Sequence, residues 1–376
     1  MSEAEMGDAG DFIVEMVEGE RYEEALGVSF SASRAEATVT FIRLSARYSS
    51  QDHIRIALNK ARGAMLAETD LQKGVRLLRL GEREDAVACF RRAVTNDGGL
   101  AAYRELGQTL SRLRREEEAL PYLEQAVRLG DESLDYHWLG SSLAELGRSD
   151  TLAFPDAAKL ALPHLREAAR RRGWAEDHLW LATTLMDLGL KLESLPHLRK
   201  VVEIRGSPED LHLLGKTLAE LGQGEAAVPH LAKAATQRGS DVDCHWLGRT
   251  LAELGRRGEA IPHLEGAVSL RGDGEDYYWL GRTLAEMDRK EAAVGHLGQA
   301  VDERGNACDH HWLGRTLVDL DRAEEAVPHL KTAVEERGSP ADYQWLGTAL
   351  VRLGQHQEAL ACFEEAADPS ARPPVL

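Results

Sequence analysis

Histidine is the residue type in this sequence best suited to chemistry, and it recurs at a fixed spacing. Six of the 14 histidines stand 33 residues apart, each before a leucine: His164, His197, His230, His263, His296 and His329. A metal site needs ligands that converge within a few ångströms. One histidine per segment places neighbours ~8–10 Å apart or more if the segments are packed helices. We therefore expect structural or surface histidines here and no metal site.

The segment Asp309–His311 resembles a phosphoesterase motif when it is taken alone. It is in register with Asp243–His245 and Asp276–Tyr278, so an internal repeat explains it better than catalysis does. The sequence has no glycine-rich phosphate loop, no nucleophile elbow, and no cysteine or serine with a base nearby. The four cysteines are never spaced as C-x-x-C, which argues against a zinc site. The chain is therefore predicted not to be an enzyme, with no catalytic residue, cofactor or metal.

The charge distribution narrows the classes of partner. A net charge of −18 argues against nucleic-acid binding, because phosphate-binding surfaces are basic. Residues 1–24 carry nine acids and one arginine, which excludes a secretory signal of the usual basic kind. No run reaches the ~18 apolar residues that span a bilayer. With scattered cysteines and far more arginine than lysine, these features predict a cytoplasmic, bacterial protein that binds neither nucleic acid nor membrane.

The tryptophans indicate the elements that must position these side chains. Trp246, Trp279, Trp312 and Trp345 stand 33 residues apart, and a period of 20–50 residues indicates stacked supersecondary units. Alignment on the residue two places after the tryptophan gives nine repeats, at Gly74, Gly107, Gly140, Ala182, Gly215, Gly248, Gly281, Gly314 and Gly347. One step is 42 residues instead of 33, so an insertion is expected at 148–157, between the two helices of the third repeat.

Each repeat is predicted to form two amphipathic helices. In the seventh repeat, Leu280 and Leu284 share one face of the first helix, and Ala293 and Leu297 line the second. Gly281 would let the two backbones approach closely where they cross. Residues 1–67 are predicted to be an acidic, helical N-terminal region with a degenerate repeat, disordered over 1–10 and helical over 11–27 and 52–67. Residues 28–46 fit strand or helix, with helix favoured; 68–367 form the array, and 368–376 are a proline-rich tail.

The pattern resembles the tetratricopeptide repeat family. The family signature stands here as Leu280-Gly281, Leu284, Ala293, Leu297 and Ala300, although the period is 33 instead of the usual 34. The resemblance implies an all-α, right-handed helical solenoid of about nine helix-turn-helix repeats. It also implies that the first helices line a concave groove that binds peptides or partner proteins.

The groove positions implied by the resemblance lie three residues before each glycine and directly after it. They give a predicted partner-binding set of His137, His212, Lys216, His245, Arg249, Tyr278, Arg282, His311, Arg315 and Gln344. This set suits an acidic or extended peptide. In the other interpretation, each cation pairs with an acid four residues later and forms a solvated face. The tryptophans are expected to pack between repeats, with an aromatic binding stripe as the alternative.

The predicted function is a non-enzymatic scaffold or adaptor that holds a partner protein or peptide in the groove. The alternative is a regulatory or sensing arm of a multi-protein complex, of the enzyme or defence type, whose N-terminal region carries the effector contact. Because the tail cannot form a further helix, the last repeat is expected to have an open face, through which the chain could also self-associate.

Overall fold

The computed structural model describes residues 12–18, 21–26, 28, 34–48, 51–67, 69–96, 98–149 and 156–367. The predictions made for residues 1–10, for most of the insertion at 148–157 and for the tail at 368–376 lie outside the described residues. All regular secondary structure in the described residues is helical, and no strand occurs among them. The expectation of an all-α helical repeat solenoid is therefore confirmed.

Twenty-one helices have defined bounds in the described part of the chain. In order they are α1 (Tyr22–Leu26), α2 (Arg34–Arg47), α3 (Asp52–Ala67), α4 (Asp70–Leu80), α5 (Arg83–Asn96), α6 (Leu100–Arg112), α7 (Glu116–Gly130), α8 (Ser133–Arg148), α9 (Ala157–Arg171), α10 (Ala175–Asp187), α11 (Lys191–Ile204), α12 (Pro208–Glu220), α13 (Gly224–Arg238), α14 (Asp241–Glu253), α15 (Arg257–Leu270), α16 (Gly274–Glu286), α17 (Lys290–Glu303), α18 (Ala307–Asp319), α19 (Ala323–Glu336), α20 (Pro340–Arg352) and α21 (His356–Ala367). Residues 12–18 are also helical.

The helices belong to two compact units, Met1–Leu190 and Lys191–Leu376, which we call unit 1 and unit 2. Unit 1 contains a small N-terminal core in which Leu26, Ile54 and Leu58 are fully buried. The prediction of one helix over 11–27 is wrong at Arg21, which is not helical and whose backbone N–H donates to the Met16 carbonyl at 2.7 Å. The helix predicted at 52–67 is confirmed as α3, and the ambiguous segment before it contains the helix α2.

A second core in unit 1 joins helices α4 to α10, with Leu106, Leu165 and Leu181 at its centre. The helix pairs of unit 2 follow one local plan, which α16 and α17 illustrate. Asp273 caps α16 by accepting hydrogen bonds from the backbone N–H groups of Glu275 and Asp276. A Cβ atom on Gly281 would lie 2.7 Å from Cγ of Leu297, so only glycine permits this helix crossing.

Candidate functional site

The first helix of each repeat forms the surface on which the predicted binding residues lie. In unit 2 these helices are α12, α14, α16, α18 and α20, and each contacts the next first helix in the series. We call the surface that they present the first-helix face of unit 2. Unit 1 has its own first-helix face, formed by α4, α6, α8 and α10.

The four predicted cations of unit 2 alternate with tryptophan rings along this face. The Arg282 Cζ atom lies 5.0 Å from the ring centroids of both Trp279 and Trp312, and Arg315 Cζ lies 4.5 Å from Trp312 and 5.1 Å from Trp345. Each arginine stands three residues after one tryptophan on the same helix and reaches the next tryptophan on the following first helix. We call the whole series the tryptophan–cation ladder: Lys216, Trp246, Arg249, Trp279, Arg282, Trp312, Arg315 and Trp345.

Three of the ladder cations also pair with the acid four residues later. The distances are 4.0 Å for Lys216–Glu220, 3.1 Å for Arg249–Glu253 and 3.3 Å for Arg282–Glu286. The expected same-helix pairs are confirmed at these positions. Arg315 is different, because no described carboxylate lies within 4.0 Å of it, although Asp319 stands four residues on. Its guanidinium is stacked between two rings, which leaves the donors in its plane open to a ligand.

The four predicted histidines bind carboxylates of the same unit instead of facing open solvent. Each Nδ1 lies within hydrogen-bond distance of an aspartate on the next first helix, in the pairs His137–Asp177 (2.7 Å), His212–Asp243 (2.7 Å), His245–Asp276 (2.6 Å) and His311–Asp342 (2.7 Å). His245 and His311 are only 3% and 7% exposed. These contacts hold successive first helices together, so the two buried rings are inaccessible to a partner in this structure.

Each of these aspartates is also bound by an arginine at the end of the preceding second helix. Arg271 donates from Nη2 to Asp276 Oδ1 at 2.9 Å and from Nε to Oδ2 at 3.0 Å, while Asp276 is fully buried. Burial alone would raise the pKa of Asp276, but the hydrogen bonds from His245 and Arg271 outweigh it and hold the pKa at about 2. We call the buried aspartates in the first turn of the first helices the junction carboxylates: Asp135, Asp177, Asp210, Asp243, Asp276, Asp309 and Asp342.

The junction carboxylates were missed in the sequence, although a signal for them exists. An arginine precedes six of the seven by five residues, as in Arg238–Asp243 and Arg337–Asp342, and a histidine stands 31 residues before several of them. This spacing recurs with the repeat, so a search for charged pairs across repeat boundaries would have found it.

The two remaining predicted residues have no carboxylate partner of this kind among the described contacts. Tyr278 occupies the histidine position of its repeat, and Arg304 Cζ lies 5.2 Å from the Tyr278 ring. Burial raises the pKa of the Tyr278 hydroxyl. Gln344 lies exposed on α20. The structure therefore places the four predicted cations in one line. The four predicted histidines lie at the contacts between successive first helices, and Gln344 lies at the surface.

Unit 1 contains a pocket of about 320 Å³ on its first-helix face, where unit 2 has the ladder. Helices α6, α8 and α10 contribute most of its lining, and residues beside α6 complete it: Ser111, Arg112, Arg114, Glu116, His137, Trp138, Ser141, Ser142, Glu145 and Trp180. His137 belongs to the predicted binding set, but the pocket that it lines was not predicted.

Metal chemistry has little support in the described part of the chain. No group of three or more histidine, cysteine, aspartate or glutamate side chains there is arranged to hold a metal ion. Two histidines do meet, because Nδ1 of His310 lies 3.0 Å from Nδ1 of His329 and the rings stack. Burial, and then the neighbouring His310, lower the pKa of His329.

Sequence models of the tetratricopeptide repeat match residues 71–133, 244–273 and 313–372. Together with the paired helices, these matches show that the chain contains tetratricopeptide repeats, which form the fold of a protein-interaction scaffold. No curated protein matches the chain. In the described residues, every helix is too short or too polar to cross a membrane.

Several solved structures resemble parts of the chain. MamA residues 41 to the end, from Desulfovibrio magneticus RS-1, is 25% identical, with a TM-score of 0.41, over 43% of this chain and 93% of that one. YrrB, described as a TPR protein with an unusual peptide-binding site, is 23% identical, with a TM-score of 0.43, over 49% and 93%. TTC0263, a thermophilic TPR protein from Thermus thermophilus, is 24% identical, with a TM-score of 0.35, over 49% and 97%.

Proposed function

We propose that the chain is a non-enzymatic scaffold that binds an extended, acidic segment of a partner protein on the first-helix face of unit 2. The observation that carries this proposal is the tryptophan–cation ladder. Its rings and guanidinium groups lie in one line across successive first helices, which suits a ligand that crosses several repeats. The proposal includes residues 68–367 as the array and a bacterial, cytoplasmic setting, both of which rest on the sequence.

Arg315 is the proposed anchor for a carboxylate of the partner. Stacking between Trp312 and Trp345 fixes the orientation of its guanidinium, so little side-chain entropy remains to be lost on binding. Its in-plane N–H donors match the two oxygens of a carboxylate. The other ladder cations already have an acid within 4.0 Å, and we expect them to contribute less.

The test begins with the selection of binding peptides from a random display library against the full chain. The affinity of an enriched acidic peptide is then measured by fluorescence anisotropy for the wild type, Arg315→Glu and Arg199→Glu. Arg199 is exposed on the second helix α11 and has no described ion pair. Arg199→Glu is therefore the control, because it makes the same change in charge away from the first-helix face. We expect Arg315→Glu to lower the affinity by ~10–100-fold, the value of a charge-assisted hydrogen bond. Equal affinity in the two variants would exclude this face.

A second partner contact is proposed for the N-terminal region. Val39 and Ile42 on α2 and Ile56 on α3 are 56%, 60% and 69% exposed, which is unusual for large apolar side chains so close together in sequence. They support the alternative that this region carries the effector contact of a larger complex. Replacing all three with serine should remove a partner found by cross-linking while peptide binding at Arg315 persists. Loss of neither interaction would reject the second contact.

Self-association through the last repeat is proposed from α21, where Leu360 is 59% and Phe363 38% exposed. Sedimentation velocity at high micromolar concentration provides the test. A dimer that dissociates in Leu360→Ser would support the proposal, and a monomer at every concentration would reject it.

A further inference from the structure

The pocket in unit 1 is lined by a small residue at the position where the ladder has a cation. Ser141 follows Gly140 directly, at the position where the ladder repeats carry Arg249, Arg282 and Arg315. A serine cannot reach the next tryptophan, so the space beside Trp138 and Trp180 stays open. The cations over these rings come from later positions on their helices, with Arg112 Cζ 4.8 Å from Trp138 and Arg148 Cζ 5.1 Å from Trp180.

Most of the polar groups in and beside this pocket already have partners. Arg148 donates to Asp187 at 2.7 Å and to the Thr183 hydroxyl at 2.9 Å. Arg114 donates to Glu145 at 2.5 Å, and its other acid contact, Glu116, is at 3.9 Å. The ring of His137 is bound to a junction carboxylate.

Arg112 is the exception among the charged groups that line the pocket. It is stacked on Trp138, and no described acceptor lies within hydrogen-bond or ion-pair distance of its guanidinium. Beside it, Ser111 Oγ accepts a hydrogen bond from Ser142 Oγ at 2.9 Å, which leaves the Ser111 proton available to a ligand. A fixed guanidinium and a hydroxyl proton therefore lie next to two indole rings.

We propose that this pocket binds the carboxylate side chain of a glutamate or aspartate in a partner peptide. The carboxylate would accept two hydrogen bonds from the in-plane donors of Arg112 and one from Ser111, while its methylene groups pack against Trp138 and Trp180. At about 320 Å³, the pocket is at the lower end of the range for small-molecule sites, ~300–1,000 Å³, so it suits one or two side chains. The inference rests on the proposed function only for the kind of partner, because its residues lie in unit 1 and the ladder lies in unit 2.

The tryptophan indole groups allow both sites to be observed in one experiment. The chain has seven tryptophans, of which Trp138 and Trp180 border the pocket and four belong to the ladder. We would label tryptophan with ¹⁵N in the full chain, assign the indole signals by tryptophan-to-phenylalanine replacement, and titrate acetyl-Leu-Glu-Leu-amide. The matched probe is acetyl-Leu-Gln-Leu-amide, which has the same shape without the charge.

We expect the glutamate probe to shift the Trp138 and Trp180 signals and to bind at least about tenfold more tightly than the glutamine probe. Arg112→Gln should abolish the preference for glutamate, whereas Arg199→Gln, with the same change in charge, should preserve it. Ser141→Arg should place a side chain in the pocket and remove the shifts. Without probe, Trp312 and Trp345 signals at their wild-type positions would show that this variant is folded. Failure of the ladder proposal would appear differently, as Trp312 and Trp345 signals that do not move when the glutamate probe is added to the wild type.

With the two peptide probes, three outcomes would overturn the inference. They are the absence of a shift at Trp138 up to about 10 mM probe, equal affinities for the two probes, and a preference for glutamate that survives Arg112→Gln. Inorganic phosphate is the third probe. If it shifts the same two signals at a lower concentration than the glutamate peptide does, the site binds oxyanions in general and the carboxylate assignment is wrong.

Discussion

The first-helix faces of the two units both carry tryptophans and use them differently. In unit 2 the residue after the glycine is a cation in four consecutive repeats, and the three arginines among them lie between neighbouring rings. In unit 1 the residue after Gly140 is Ser141, and a pocket remains. One position in the repeat therefore determines whether the face is a filled ladder or an open site.

Two helix junctions, one in each unit, show no such difference. Asp177 in unit 1 and Asp276 in unit 2 are both fully buried, and each is bound by one histidine and one arginine. These two repeats thus have the same junction while their exposed faces differ. This arrangement allows binding residues to change without loss of the contacts that hold successive helices together.

The largest predicted effect tests whether the junctions are equivalent. Asp276→Ala and Asp177→Ala should each lower the free energy of unfolding by ~2–4 kcal/mol, because each removes a buried carboxylate that accepts hydrogen bonds from a histidine and from an arginine. Urea denaturation followed by circular dichroism measures the change. Glu275→Ala, which removes the acid beside Asp276, should cost less than about 1 kcal/mol. A large cost in only one unit would break the equivalence.

The junctions should also respond to acid in both units. Burial opposes ionisation, but histidine and arginine hydrogen bonds hold the pKa of Asp177 and of Asp276 at about 2, below the ordinary value of 3.8. Because the folded-state pKa is the lower one, this stabilisation is complete above about pH 4 and is lost as the pH falls through about 2. Each carboxylate should contribute roughly 2 kcal/mol.

The measurement is the free energy of unfolding between pH 5 and the lowest pH at which the wild type remains folded. Asp276→Asn and Asp177→Asn should each reduce the slope of the free energy of unfolding against pH, and by a similar amount. If the slope is the same in the variants as in the wild type, the two carboxylates do not carry the acid sensitivity.

A smaller effect is expected when a ladder position is converted into its unit 1 counterpart. Arg282→Ser removes two cation–ring contacts, each contributing ~0.5–1 kcal/mol, so unfolding should become easier by about 1–2 kcal/mol. The indole signals of Trp279 and Trp312 should shift together. Arg199→Ser is the control, with little expected change. A cost no greater than that of the control would show that the ladder does not stabilise unit 2.

The smallest effect concerns the same-helix pairs of the ladder. Glu253→Ala removes the carboxylate 3.1 Å from Arg249 and should cost only ~0.3–0.5 kcal/mol. Glu225→Ala, which removes an exposed acid 3.6 Å from Arg256, is the comparison. If Glu253→Ala costs more than about 1 kcal/mol, the acid has a further role in holding Arg249 against its rings.

The sequence predicted the features that depend on one repeat. The close approach of Gly281 to Leu297 and the pairing of Arg282 with Glu286 follow from spacing along one helix or within one helix pair. The His245–Asp276 contact was not predicted, because it depends on how far one first helix lies from the next. The pocket was missed for the same reason, since Ser141 leaves a space only relative to rings on neighbouring helices.

The central claim is that stacked arginines without an acidic partner are the points at which a partner is held. A crystal structure of the full chain with a selected acidic peptide tests it most directly. The account predicts a peptide carboxylate within hydrogen-bond distance of the Arg315 guanidinium, on the first-helix face of unit 2. A peptide bound on the second helices, with Arg315 untouched, would contradict it.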